Sequence, residues 1–156
     1  MRKLTSLAIL FIALASTSLG LNEPASSKSP KLGVIKRPLS TWGDCNLQFP
    51  KDYKRRNHSY VFMNYEQGGM AQINIDGKDL KLKLVDRTKS DFEMKAGYRH
   101  FEEYAAGRTR VRVDYVVLNP CKPNDEQCEV IVESAVITVH HKGWARKTRT
   151  IGLCGS

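Results

Sequence analysis

NPCKPNDEQCEV, residues Asn119–Val130, places Cys121 and Cys128 around a Lys-Pro-Asn-Asp-Glu-Gln core, with β-branched residues running away on both sides. Upstream, RTRVRVDYVV (108–117) sets Val111, Val113, Tyr115 and Val117 against Arg108, Arg110, Arg112 and Asp114, and downstream EVIVESAVITVHH (129–141) returns as a second long run. Alternation with period two marks a strand that buries one face. Pro120 and Pro123 cannot donate to a strand ladder and belong to the connection. The segment therefore predicts a stapled turn between two long antiparallel strands.

The same pattern recurs outward from this turn. Ala71, Ile73 and Ile75 alternate with polar residues, Asp76-Gly77 is a type I′ hairpin signal, and Leu80, Leu82 and Leu84 alternate with Asp79, Lys81 and Lys83. Lys142-Gly143 marks another turn, after which WARKTRTIGLC (144–154) brings Cys154 back to the start of the domain. No long helix-period segment competes. These features predict an all-β fold, a small antiparallel meander closing into a barrel or a two-layer sandwich, stapled by disulfides. One segment, Ser90–Gly107, resists the scheme: Phe92, Met94, Tyr98, Phe101 and Tyr104 fit neither period, and Gly97 and Gly107 interrupt it. It reads as a short strand and a loop across the barrel mouth. Its aromatics either pack in the core or, through Tyr98 and Tyr104, contact a ligand.

The N-terminus sets the compartment. Arg2 and Lys3, an apolar run from Leu4 to Leu14 and small residues near Ala13–Ala15 or Ser18–Gly20 form a secretory signal peptide over residues 1–20. The apolar run is too short to span a bilayer, so no transmembrane span is expected and the protein reads as exported, periplasmic or extracellular. Residues 21–40 hold Pro24, Pro30 and Pro38 with serines and basic residues and no apolar periodicity, and read as a disordered tether. A single β domain over 41–156 follows, anchored near Trp42.

In an oxidising compartment four cysteines read as a disulfide framework with three pairings open. The turn chemistry favours Cys121 with Cys128, leaving Cys45 with Cys154 at the two ends of the domain. A metal or redox site at Cys121 and Cys128 is the rival reading, but CxxC spacing is missing and no histidine lies in the loop. His58, His100, His140 and His141 match no ligand spacing, and neighbours such as His140 and His141 point to opposite faces of a strand, so neither a metal nor a cofactor is expected. GxSxG is absent, and Glu102, Glu103, Glu129 and Glu133 could be paired only by the fold. No enzyme is expected on these grounds.

Charge remains. Removing Arg2 and Lys3 from the formal +9 leaves +7, a balance suited to anionic partners. Arg108, Arg110 and Arg112 share one strand face and Lys81 and Lys83 the polar face of another, which predicts anion-binding ridges; the plain alternative is a solvated face. Lipopolysaccharide, other acidic envelope polymers and nucleic acid are the partner classes, but no sequence-specific nucleic-acid motif is present.

The order YVFMNYEQ, AQINIDGKDLKLKL and AGYRHFEEYAAG, followed by an alternating strand, resembles the membrane-bound or periplasmic inhibitors of C-type lysozyme, small exported β-barrels, over roughly Tyr60–Val117. The resemblance implies a protein inhibitor of a cell-wall hydrolase. That family's serine-glycine motif ending in tyrosine and its lysine-glycine motif stand here as Ala96-Gly97-Tyr98 without the serine and Tyr104-Ala105-Ala106-Gly107 without the lysine, and Met63 stands where the family has a cysteine. No inhibitory residue carries over. Two functions follow: a non-enzymatic barrel binding an anionic envelope component, and a hydrolase inhibitor. The positive charge favours the first, since C-type lysozymes are themselves basic.

Overall fold

The computed structural model describes residues 29–40, 43–65, 69–88, 95–122 and 127–155. The signal peptide, residues 21–28 of the tether, Trp42, Phe92, Met94 and Pro123 lie outside the described residues. The described chain forms β1 (Leu32–Gly33), β2 (Cys45–Gln48), α1 (Pro50–Lys54), β3 (Tyr60–Tyr65), β4 (Met70–Ile75), β5 (Lys78–Arg87), β6 (Arg99–Ala106), β7 (Thr109–Asn119), β8 (Val130–His141) and β9 (Trp144–Gly155). Strands β2 to β9 close an antiparallel barrel of eight strands in the order β4-β3-β2-β9-β8-β7-β6-β5, with β5 returning to β4. Of the two architectures the sequence allows, the barrel forms. Closure leaves no open sheet edge among these strands.

The alternating residues set the interior. Ala71, Ile73 and Ile75 of β4, Leu82 of β5, Val111, Val113, Tyr115 and Val117 of β7, and Ile131, Ala135, Ile137 and Val139 of β8 are all buried in one cluster with Leu47 and Phe62. Both hairpin signals act as turns: Asp76 and Gly77 have φ of 51° and 80°, Lys142 and Gly143 49° and 82°, the two left-handed residues that a type I′ turn requires. At Gly152 a Cβ would collide with the main-chain carbonyl of Asn46, so only glycine lets β9 approach β2 this closely. Cys45 pairs with Cys154 and Cys121 with Cys128. The first bridge joins directly opposed residues of β2 and β9, and the second staples the connection between β7 and β8.

The described part of the expected tether is ordered, which corrects the reading of residues 21–40 as disordered throughout. Leu32 and Gly33 pair with Ile75 and Asn74 of β4. Beyond them Gln72 and Asn74, the outward residues of β4, are buried beneath the chain. Gln72 accepts from the Leu39 amide at 3.0 Å and donates to the Arg37 carbonyl at 2.8 Å, while the Asp79 carboxylate accepts from the amides of Lys36 and Arg37 at 2.9 Å each. Burial alone would raise the Asp79 carboxyl, but the hydrogen bonds from Asn74, Arg37 and Lys36 hold it below its ordinary value. The segment is fastened by polar side chains of β4 and β5, so its own lack of apolar periodicity was no guide to its order.

The region 90–107 is likewise corrected. A strand is expected there, but the described part contains a longer one than the short strand and loop read from the sequence: β6 runs over Arg99–Ala106 and pairs with β5 on one side and β7 on the other.

Candidate functional site

Strand β6 turns His100, Glu102 and Tyr104 inward, because they stand opposite Tyr115, Val113 and Val111 of β7. The Glu102 carboxylate accepts three hydrogen bonds through one oxygen, from Asn64 Nδ2 at 3.0 Å, Tyr104 Oη at 2.8 Å and Tyr115 Oη at 2.9 Å. His100 Nε2 lies 2.8 Å from Glu133 Oε1, and its ring stacks on Tyr115 with centroids 4.6 Å apart. Two of the four carboxylates in question are thus brought inside, each occupied by protein groups. Glu133 also lies with the sulfurs of Cys45 and Cys154, with all three ligand atoms within 4.8 Å, but the disulfide consumes both thiolates.

This interior corrects the ligand-loop expectation for Tyr104, which is 2% exposed and belongs to the core. Tyr98 stands just before β6, half-buried, and stacks on His100 at 6.1 Å. Burial, reinforced by the Glu102 carboxylate, pushes the Tyr104 and Tyr115 phenols well above the ordinary value of 10.0. The folded state therefore holds these protons more tightly than the unfolded chain. Stability is unaffected by them below pH 10 and falls above it, by up to about 1.4 kcal/mol per pH unit for each tyrosine. Denaturant titrations on either side of pH 10, with tyrosinate absorbance followed in parallel, should show the two phenols ionising only as the protein unfolds.

The outer face carries the charge. Register across the sheet aligns Lys83 of β5, Ala105 of β6, Arg110 of β7, His140 of β8 and Ala145 of β9 in one row, and Arg112, Thr138 and Lys147 in the next. Arg108 lies in the β6–β7 turn and Lys142 in the β8–β9 turn, both at the end of the barrel where this row runs. Lys81 lies two residues from Lys83 on the same face of β5, toward that same end. His141 turns the other way and meets Thr109 Oγ1 at 2.7 Å, leaving His140 exposed.

The arginine ridge does not survive as drawn. Arg108 is in the turn instead of on the strand, and Arg112 is neutralised, its Nη1 2.6 Å from Glu103 Oε1 and its Nε 2.8 Å from Asp114 Oδ1, with the guanidinium 3.9 Å above the Phe101 ring. Among the described residues no carboxylate pairs with Lys81, Lys83, Arg108, Arg110, Lys142 or Lys147. A cationic patch across the end of the barrel replaces the ridge. Lys142 and Lys147 were missed because membership depends on cross-strand register, which a single strand's alternation does not reveal.

No helix among the described residues is long and apolar enough to cross a membrane. Comparison with protein-family models, curated proteins and solved structures finds no match.

Proposed function

We propose that the protein is an exported, non-enzymatic β-barrel that binds an anionic component of the cell envelope through the cationic end of β5, β7, β8 and β9. The observation that carries this reading is the alignment of Lys83, Arg110 and His140 in one row beside Lys147, flanked by Arg108 and Lys142 in adjoining turns and without carboxylate partners among the described residues. Lys83 and Arg110 stand two strands apart, about 9.6 Å across Ala105, and Arg110 and Lys147 are likewise separated by β8, so the charges present a spread surface to a repeating polyanion rather than a pocket to a single ion. Both disulfides support passage through an oxidising compartment.

The test is binding of the purified protein to lipopolysaccharide and to teichoic acid. Replacing Lys83, Arg110 and Lys147 together by glutamine should weaken binding about a hundredfold at low salt, at about 1 kcal/mol per cation near an anionic surface. The same exposed positions should leave stability nearly unchanged. Arg112→Gln should change affinity little, because that charge is already balanced. Unchanged affinity in the triple variant, or indifference of the parent to every polyanion at low salt, would remove the proposal. Stoichiometric inhibition in a lysozyme turbidity assay would favour the inhibitor alternative instead, with Tyr98 as the first residue to replace.

A further inference from the structure

A second surface lies on the other side of the barrel. The outer face of β2 and the adjoining ends of β8 and β9 form the floor of an open cleft of about 790 Å³, within the size range of small-molecule sites. Leu153 of β9 stands opposite Asn46 of β2, and Val130 opposite Gly155; Leu153 is 40% and Val130 51% exposed. One wall is the end of α1 and the chain that follows it, with Lys54, Arg56 and His58 on the cleft, and the opposite end carries Asp44 and Glu129. Because Asp44 precedes β2 and Lys54 to His58 follow it, the charge reverses along β2, over about 13 Å of strand.

The cationic wall is built, not loose. Gln48 Nε2 donates to the Asn57 carbonyl, the Asn57 amide donates to the Asp52 carbonyl at 3.0 Å, and His58 Nδ1 lies 3.0 Å from Tyr60 Oη. Arg55 caps the helix and Arg56 follows with φ 54°, the left-handed position at which helices ordinarily end in glycine. A side chain held in that region is strained, and such strain gathers at ligand sites. Here the strained residue is one of the cations on the cleft.

We propose that this cleft binds a single-chain amphiphile with an anionic head group, a phosphate monoester or a carboxylate. The head group meets Arg56, Lys54 and His58, where a guanidinium can hold two oxygens at once. The alkyl chain lies along Leu153 and Val130. Asp44 and Glu129 repel an anion at the far end and so set the direction of the chain. The site is separate from the polyanion surface and does not depend on it.

Calorimetric titration of the purified protein, below the micellar concentration of each probe, tests the assignment with dodecyl phosphate, laurate, dodecyltrimethylammonium and inorganic phosphate. Saturable one-to-one binding of dodecyl phosphate or laurate is expected, the tighter of the two identifying the head group, with the cationic amphiphile and inorganic phosphate each at least roughly tenfold weaker. Arg56→Gly should weaken binding about tenfold while the thermal midpoint holds or rises, since glycine takes the left-handed conformation without cost. Leu153→Ser, at an exposed strand position, should weaken both anionic amphiphiles and leave inorganic phosphate as it was. The Lys83, Arg110 and Lys147 variant should bind the amphiphile as the parent does. Equal affinity for anionic and cationic amphiphiles, full affinity in Arg56→Gly, or no saturable binding of either anionic probe would overturn the proposal.

Discussion

Replacing Glu102 by alanine is expected to remove about 3–6 kcal/mol of stability, a large share of the roughly 5–15 kcal/mol that ordinarily holds a domain folded. The carboxylate is the common acceptor for Asn64, Tyr104 and Tyr115, and truncation strands these donors at about 1–2 kcal/mol each. Two of those donors cannot turn to water, because Tyr104 and Tyr115 are each 2% exposed. Asn64 is no better placed, its Oδ1 already lacking a partner in the interior. Glu102→Gln keeps the shape and one acceptor oxygen and should cost less than half as much. Denaturant midpoints with tyrosine near-ultraviolet dichroism would decide it; an alanine variant within about 1 kcal/mol of the parent would mean that the network contributes nothing net.

The same network explains which strands were legible. At β4, β5, β7 and β8 the inward positions are apolar nearly throughout, so period two in the sequence is period two in the core. At β6 the inward residues are His100, Glu102 and Tyr104, and the apolar Phe101 faces outward beneath the Arg112 guanidinium. Hydrophobic alternation is therefore inverted along that strand, and Gly97 and Gly107 looked like interruptions when they are the turns at its two ends. Glu133 hides in the opposite way, as one charged residue in the buried row Ile131, Ala135, Ile137 and Val139. The first residues of the domain were illegible for a third reason: residues 31–39 are ordered by Gln72, Asp76 and Asp79, more than thirty positions downstream. As for the charged face, local alternation was enough to put Lys81, Lys83 and Arg110 on the outside of their strands, but the partners that balance Arg112 are supplied only by the fold. The left-handed Arg56 carries no sequence signal at all, because the motif that ends a helix there ordinarily announces itself with glycine.

Removing the Cys45–Cys154 bridge, by Cys45→Ala with Cys154→Ala, should destabilise the protein about twice as much as removing Cys121–Cys128 by the same means. The residues of the first pair are 109 positions apart and those of the second 7. Loop-closure entropy then gives about 4.8 kcal/mol for the long loop and about 2.5 kcal/mol for the short one. The long bridge also spans the strand pair that completes the barrel, where β2 contributes only Cys45 to Gln48 to its ladder with β9. Alanine at both positions further leaves space around Glu133, which is 1% exposed, and so adds a packing cost to the entropic one. A fall in thermal midpoint of roughly 15–20 °C is expected for the first variant and about half that for the second. A larger fall for the Cys121–Cys128 variant would overturn the ranking. Because the strands alternate in direction, the Cys121–Cys128 connection lies at the end of the barrel opposite the turns that hold Arg108 and Lys142. Its variant should therefore keep polyanion binding at temperatures where it is folded, and loss of binding without loss of fold would place the functional surface at the stapled end instead.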